Sequence, residues 1–127
     1  SHQINEPWVD EGLASYCALL YLEHVQGAGA YDAVFREDPP EFSYISFLPI
    51  SAYPHKEAYK EAVYTQPVYF WHRMREMAGK ERLFQVLGEI QKEYRFQIIS
   101  GEELFSALKE AYGLDNQELR RILFTVK

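Results

Sequence analysis

Two adjacent carboxylates, Asp10 and Glu11, stand near the start of a helical stretch whose other side chains are almost all apolar: Asn5-Glu6-Pro7-Trp8-Val9-Asp10-Glu11-Gly12-Leu13-Ala14-Ser15-Tyr16. A helix of this composition is built to be buried, and burying an ionised carboxylate is costly unless it is paired with a cation or bound to a metal. The rest of the chain offers no obvious partner. Helical spacing puts Glu11 on the line of Trp8, Ser15, Ala18 and Leu22, a face that reads as shielded from solvent. Two chemistries compete for it. An acid in the first turns can simply answer the macrodipole at the helix N-terminus, and composition alone favours that reading. The alternative is a ligand. The other reactive side chains are weaker candidates. Cys17 sits among Ala14, Ala18 and Leu20, where a small buried thiol is expected rather than a nucleophile. His24, His55 and His72 are scattered without metal-ligand spacing, so satisfied or surface histidines are expected.

The elements that must position these groups read as helices. Pro7 suits a first helical position, and Val9, Leu13, Tyr16, Cys17, Leu20 and His24 recur at helical spacing until Gly27 and Gly29, which predicts a helix from about Pro7 to Gln26. Tyr31 to Arg36 can add a turn or two. Pro39, Pro40, Pro49 and Pro54 then punctuate an aromatic-rich stretch, about Glu37 to Lys56, expected to be an ordered loop. A second long helix starts near Tyr64, with Pro67 in its first turn and Val68, Tyr69, Trp71, His72 and Arg75 along it. Lys80 opens a third, with Phe84, Leu87, Ile90, Gln91 and Tyr94 on one face. Ser100 with Glu103 three residues on is a capping box for a fourth, and Asp115 or Asn116 can cap a fifth. No strand alternation and no repeat compete, so the class is all-α.

The 127 residues, 47% hydrophobic and 16% aromatic, are enough for one core and predict a single domain over 1–127. Thirteen Lys and Arg against 19 Asp and Glu, with no block of like charge, argue against a nucleic-acid or anionic-membrane surface. One cysteine permits no disulfide framework. No apolar run approaches the ~20 residues of a membrane span, and no signal-peptide order is seen, so the compartment stays open.

Glu11-Gly12-Leu13-Ala14-Ser15-Tyr16, preceded by Trp8-Val9-Asp10, resembles the third-ligand segment, W-L-N/D-E-G-F/L-A, of the membrane alanyl aminopeptidase family of zinc peptidases. The resemblance places Glu11 on the zinc-binding glutamate. In that family an H-E-x-x-H helix supplies two histidine ligands and the general-base glutamate, with the third ligand after about 18 intervening residues. No H-E-x-x-H occurs in the 127 residues, and His2 is too close to Glu11 to substitute. The chain thus reads as beginning between the two zinc-binding helices. Farther on, Val63-Tyr64-Thr65-Gln66-Pro67-Val68-Tyr69, leading to Gly79 and Glu81 to Phe84, resembles the family's V-Y-x-x-G-A segment and the helices after it. This puts Tyr64 on the catalytic tyrosine, whose phenol donates to the oxyanion of the tetrahedral intermediate. Pro67 and Val68 stand where the family has glycine and alanine, and the family's G-x-M-E-N motif is absent. Without the resemblance, Tyr64 is one of 10 tyrosines and merely packs.

The resemblance implies the helical, bundle-like half of a thermolysin-like metallopeptidase catalytic domain. The complete enzyme would hydrolyse peptide bonds through a zinc-activated water, with Glu11 as metal ligand and Tyr64 as oxyanion donor. Asp10 would orient the ligand or substrate from behind, and Ser15, one turn on, would hydrogen-bond the ligand carboxylate. Alone, the chain is expected to be inactive and to bind zinc weakly or not at all. The face of the first helix that would meet the missing H-E-x-x-H helix is expected to be an exposed apolar patch, prone to self-association. The competing reading is a non-enzymatic helical interaction domain, with Glu11 answering the helix dipole and the aromatic loop binding a partner. A degenerate homologue with a decayed motif is the third.

Overall fold

The computed structural model describes residues 7–36, 56–93 and 100–124. Every regular element among them is helical: α1 (Pro7–Gln26), α2 (Ala28–Val34), α3 (Lys56–Lys60), a π-helical turn (Glu61–Thr65), α4 (Gln66–Ala78), α5 (Lys80–Glu93), α6 (Gly101–Tyr112) and α7 (Asn116–Phe124). The all-α expectation holds. Most of the aromatic loop and Tyr94 lie outside the described residues; its last residue, Lys56, already begins α3.

Local signals set most boundaries. α1 ends at Gly27, whose φ of 96° suits glycine and few other residues. Gly79, at φ 91°, breaks α4 from α5. The capping box of α6 forms as expected: Ser100 Oγ accepts from the Glu103 amide at 3.1 Å, and Glu103 returns the bond to the Ser100 amide at 2.9 Å. Asp115, rather than Asn116, caps α7, accepting from the Glu118 amide at 2.8 Å. Glu118 reciprocates at 3.1 Å.

The core is aromatic at one end and aliphatic at the other. Trp8 is fully buried, with Phe70 and Phe105 edge-on to it, each at 6.1 Å between centroids. Burying such a side chain is worth ~3 kcal/mol or somewhat less, so Trp8 holds the first turn of α1 firmly against α4 and α6. Leu83, Val86 and Ile90 of α5, Leu104 and Leu108 of α6, and Leu119 and Leu123 of α7 fill the rest. Farther along α1, the nearly buried Glu23 carboxylate takes two bonds from Arg75 of α4, at 2.6 and 3.1 Å, and lies 3.3 Å from Lys80. The guanidinium holds Glu23 below the usual carboxylate range.

Two expectations about faces need correction. Cys17 is exposed, not buried, because α1 turns Trp8, Val9, Gly12 and Tyr16 inward and leaves its small residues outside. Neighbouring groups still desolvate the thiol in part and raise its pKa, the opposite of what a nucleophile needs. On α5 the inward residues are Leu83, Val86 and Ile90; Phe84 is 40% exposed and Gln91 faces solvent. α5 packs with α4 and α6 on that side; Ile90 of the expected face is buried and Leu87 half-buried against the core, so it is the Phe84 and Gln91 edge that turns out. α4 itself begins at Gln66, within two residues of the expected start near Tyr64, and α3 and the π-helical turn lead into it from Lys56.

Candidate active site

Glu11 and Tyr64, far apart in sequence, meet. The Tyr64 hydroxyl donates to Glu11 Oε2 at 3.0 Å. Contrary to the shielded face read from the sequence, Glu11 is exposed and Tyr64 is half-buried, so the pair lies at the surface. Among the described residues, Glu11 Oε1 has no hydrogen-bond partner. An exposed carboxylate with one oxygen committed to a phenol and the other open can still accept a metal or a donor.

The helices around the pair fix its geometry. Trp8 anchors α1 one turn before Glu11, and Gly12 follows it directly. A Cβ on Gly12 would come within 2.4 Å of Pro67 Cβ and 3.2 Å of the Val63 carbonyl oxygen. The missing side chain lets α4 approach α1 so closely. Pro67 lacks an N–H and its ring crowds the carbonyl four residues earlier, which is Val63. The π-helical turn immediately before it absorbs this misfit and presents Tyr64 toward α1. From the opposite side, the fully buried Gln66 donates from Nε2 to the Leu123 carbonyl at 3.0 Å, tying the start of α4 to the end of α7. Pro67, the departure from the resembled pattern, is therefore the residue that docks on Gly12.

The remaining site residues are placed less tellingly. Asp10 is half-buried with Oδ2 shielded from solvent. Ser15 is half-buried, and among the described residues no hydrogen bond joins it to Glu11. His72 is the satisfied histidine the sequence suggested, bonded through Nδ1 to Tyr31 at 2.8 Å, while His24 is exposed. The described residues contain no group of three or more His, Cys, Asp or Glu able to hold a metal ion, so Glu11 would be a single ligand.

Beside the pair runs a feature visible only in three dimensions. Glu11, Ala14, Ala18, Tyr21 and Val25 form one exposed line along α1, with Cys17 next to it. Tyr21 is 70% and Val25 58% exposed. A solvent-facing helix normally carries charge along its outer face; here Glu11 is the only carboxylate on the line.

No known protein-family model matches this chain, and neither a curated protein nor a solved structure is significantly similar to it.

Proposed function

We propose that this chain is the C-terminal helical part of a zinc metallopeptidase catalytic domain, resembling the alanyl aminopeptidase family, and that it contributes the third metal ligand and the oxyanion donor. The observation that carries the reading is the 3.0 Å hydrogen bond between Tyr64 and Glu11. The two residues were singled out by separate motifs, and a chance pairing of one acid with one of 10 tyrosines would be unremarked without them. Two supports are independent of that bond. The π-helical turn holding Tyr64 is the kind of local irregularity that recurs at functional sites. The small-residue line on α1 leaves room beside Glu11 for another helix to lie close.

In this reading the exposed Glu11 carboxylate would be one ligand of a zinc ion, with an H-E-x-x-H segment supplying the others. When bound, the ion supplies a water of lowered pKa and polarises the scissile carbonyl. Tyr64 holds its O–H against the ligand carboxylate, from where it could turn to the oxygen that gains charge as a peptide carbonyl is attacked. Gly12 and Pro67 set the distance between the two elements that carry the pair. Residues 1–127 lack the general base and two ligands, so the chain alone is expected to hydrolyse nothing and to bind zinc weakly.

The test is the coding sequence upstream of Ser1, followed by zinc analysis of the complete protein. An H-E-x-x-H whose second histidine precedes Glu11 by about 18 residues is expected. Glu11→Gln should then lose zinc, and Tyr64→Phe should keep it while turnover falls by ~10²–10³. A broken or missing motif, or zinc held unchanged by Glu11→Gln, overturns the reading. The exposed line on α1 would then favour the interaction domain, with a partner helix seated there.

A further inference from the structure

Away from Glu11 and Tyr64, the described residues hold a buried run of titratable side chains that the proposed reaction does not use. The Tyr16 and Tyr31 hydroxyls are 2.8 Å apart, and the Tyr31 hydroxyl is 2.8 Å from His72 Nδ1. Both tyrosines are buried and His72 is half-buried. The run crosses three helices, α1, α2 and α4. Phe35, just beyond α2, lies flat on the imidazole, with centroids 3.9 Å apart and planes 4° from parallel. The short α2 is thus fastened at both Tyr31 and Phe35 to one histidine.

The Tyr16 hydroxyl gives the run a direction. It is fully buried and, among the described residues, has one hydrogen-bond partner, Tyr31. A buried donor left unmade costs more than an unfilled lone pair, so Tyr16 gives its proton to the Tyr31 oxygen. Tyr31 must then give its own proton to His72 Nδ1, which has to be bare. The imidazole proton is left on Nε2, which faces the Glu76 carboxylate at 3.6 Å. The opposite sense, with Nδ1–H donating to Tyr31 and Tyr31 to Tyr16, strands the buried Tyr16 proton without an acceptor.

We propose that this run is an acid-sensitive latch on α2: protonating His72 puts a proton on Nδ1, reverses the run, strands the Tyr16 proton and loosens α2 from α1 and α4. The groups around the ring oppose one another. Glu76 on α4 and Asp32 on α2 favour the charged imidazole; Arg75 and Arg73 on α4 disfavour it. Burial is the largest influence and holds the ring below the usual histidine value. Glu23 on α1 faces the two tyrosines and is neutralised by Arg75 and Lys80. A histidine held low gives stability that is whole above its unfolded pKa of about 6.5 and is lost as pH falls toward the folded value.

The experiment is nitrogen-15 spectroscopy of histidine-labelled protein, residues 1–127, with hydrogen exchange of the α2 amides corrected for intrinsic pH dependence. Nδ1 is expected bare at neutral pH. Below the His72 titration, α2 amides should exchange about tenfold faster relative to those of α6, in step with a tenfold weakening of the latch. Tyr31→Phe removes the proton that His72 must accept and should raise its proton affinity about tenfold, read as one pH unit. His72→Gln keeps an acceptor oxygen but cannot titrate, so its α2 exchange should be flat between neutral and mildly acid pH. If Tyr31→Phe fails to fold, His72→Gln still carries the test. A proton on Nδ1 at neutral pH, an unshifted titration in a folded Tyr31→Phe, or the same acid response in His72→Gln overturns the latch.

Discussion

Replacing Gly12 with alanine is the most direct probe of how the Glu11 and Tyr64 helices are held. The new Cβ would stand 2.4 Å from Pro67 Cβ, 2.9 Å from Pro67 Cγ and 3.2 Å from the Val63 carbonyl oxygen. None of these can rotate away, since two belong to a rigid ring and one to the backbone. Overpacking costs ~1–3 kcal/mol, and with rigid neighbours the upper end applies. Alanine returns ~1 kcal/mol of helix propensity over glycine. The net is a loss of ~2 kcal/mol, or on the order of 8 °C in melting temperature for a domain of this size. Gly88, on the exposed side of α5, is the control of sign. A Cβ there meets nothing within 4 Å, so Gly88→Ala should stabilise by ~0.5–1 kcal/mol.

Thermal and denaturant unfolding of four proteins then close a cycle: the parent, Gly12→Ala, Pro67→Gly and the double variant. Pro67→Gly deletes both crowded ring carbons, so Gly12→Ala should cost close to nothing in that background. The expected coupling is therefore ~2 kcal/mol, within the range for directly contacting residues. A Gly12→Ala protein as stable as the parent, or one that loses the same amount in both backgrounds, would refute the claim that this contact sets the spacing of α1 and α4.

Arg75→Met should destabilise by ~2 kcal/mol, less than the 3–5 of a fully buried pair because Lys80 still neutralises Glu23; denaturant unfolding reads it. Because Arg75 holds Glu23 low, that pair's stability is present above the ordinary glutamate range and lost as pH falls through the lowered value. An unfolding series should show this second acid step, apart from the His72 step, vanish in Arg75→Met. Ser100→Ala should cost ~1 kcal/mol by removing the α6 cap, with exchange of the Glu103 amide rising first. Ala18→Glu puts a charge in the exposed line of α1 and should reduce self-association in sedimentation without changing the melting temperature by more than ~2 °C.

Features decided within a few residues were legible in the sequence. Pro7 and Gly27 bound α1, and Ser100 with Glu103 caps α6, because these choices satisfy backbone groups locally. Features decided by docking were not. The side of α5 that faces inward depends on where α4 and α6 lie: Ile90 and Leu87 of the expected face do pack inward, but Leu83 and Val86 join them, and nothing local chooses these two over Phe84 and Gln91. Phe70 and Met74 of α4, both fully buried, likewise owe their burial to docking rather than to a local signal. The Tyr64 bond to Glu11 could not be read from periodicity, since it needs the π-helical turn. One signal was present: a glycine inside a strongly apolar helix is costly and marks close approach of another backbone, and Gly12 next to Glu11 pointed to where α4 would come.

The two faces of α1 finally constrain what any function must explain. Its inner face is overdetermined, with Trp8 in an aromatic cluster, Gly12 against Pro67, Tyr16 in a polar run and Glu23 clamped by Arg75. The outer line is the reverse, with alanines, a tyrosine and a valine in water. Nothing in helix stability asks for that composition, since charged residues there would have formed the helix as well and kept it soluble. Small residues on an outer line allow close helix contact, and the line's only carboxylate, Glu11, is the one bonded to Tyr64. A helix covering that line would meet an acid and a phenol at one end of its track. On the proposed reading that helix would carry the metal ligands; for one that merely shields apolar surface, Glu11 would be a liability beside Ala14 and Ala18.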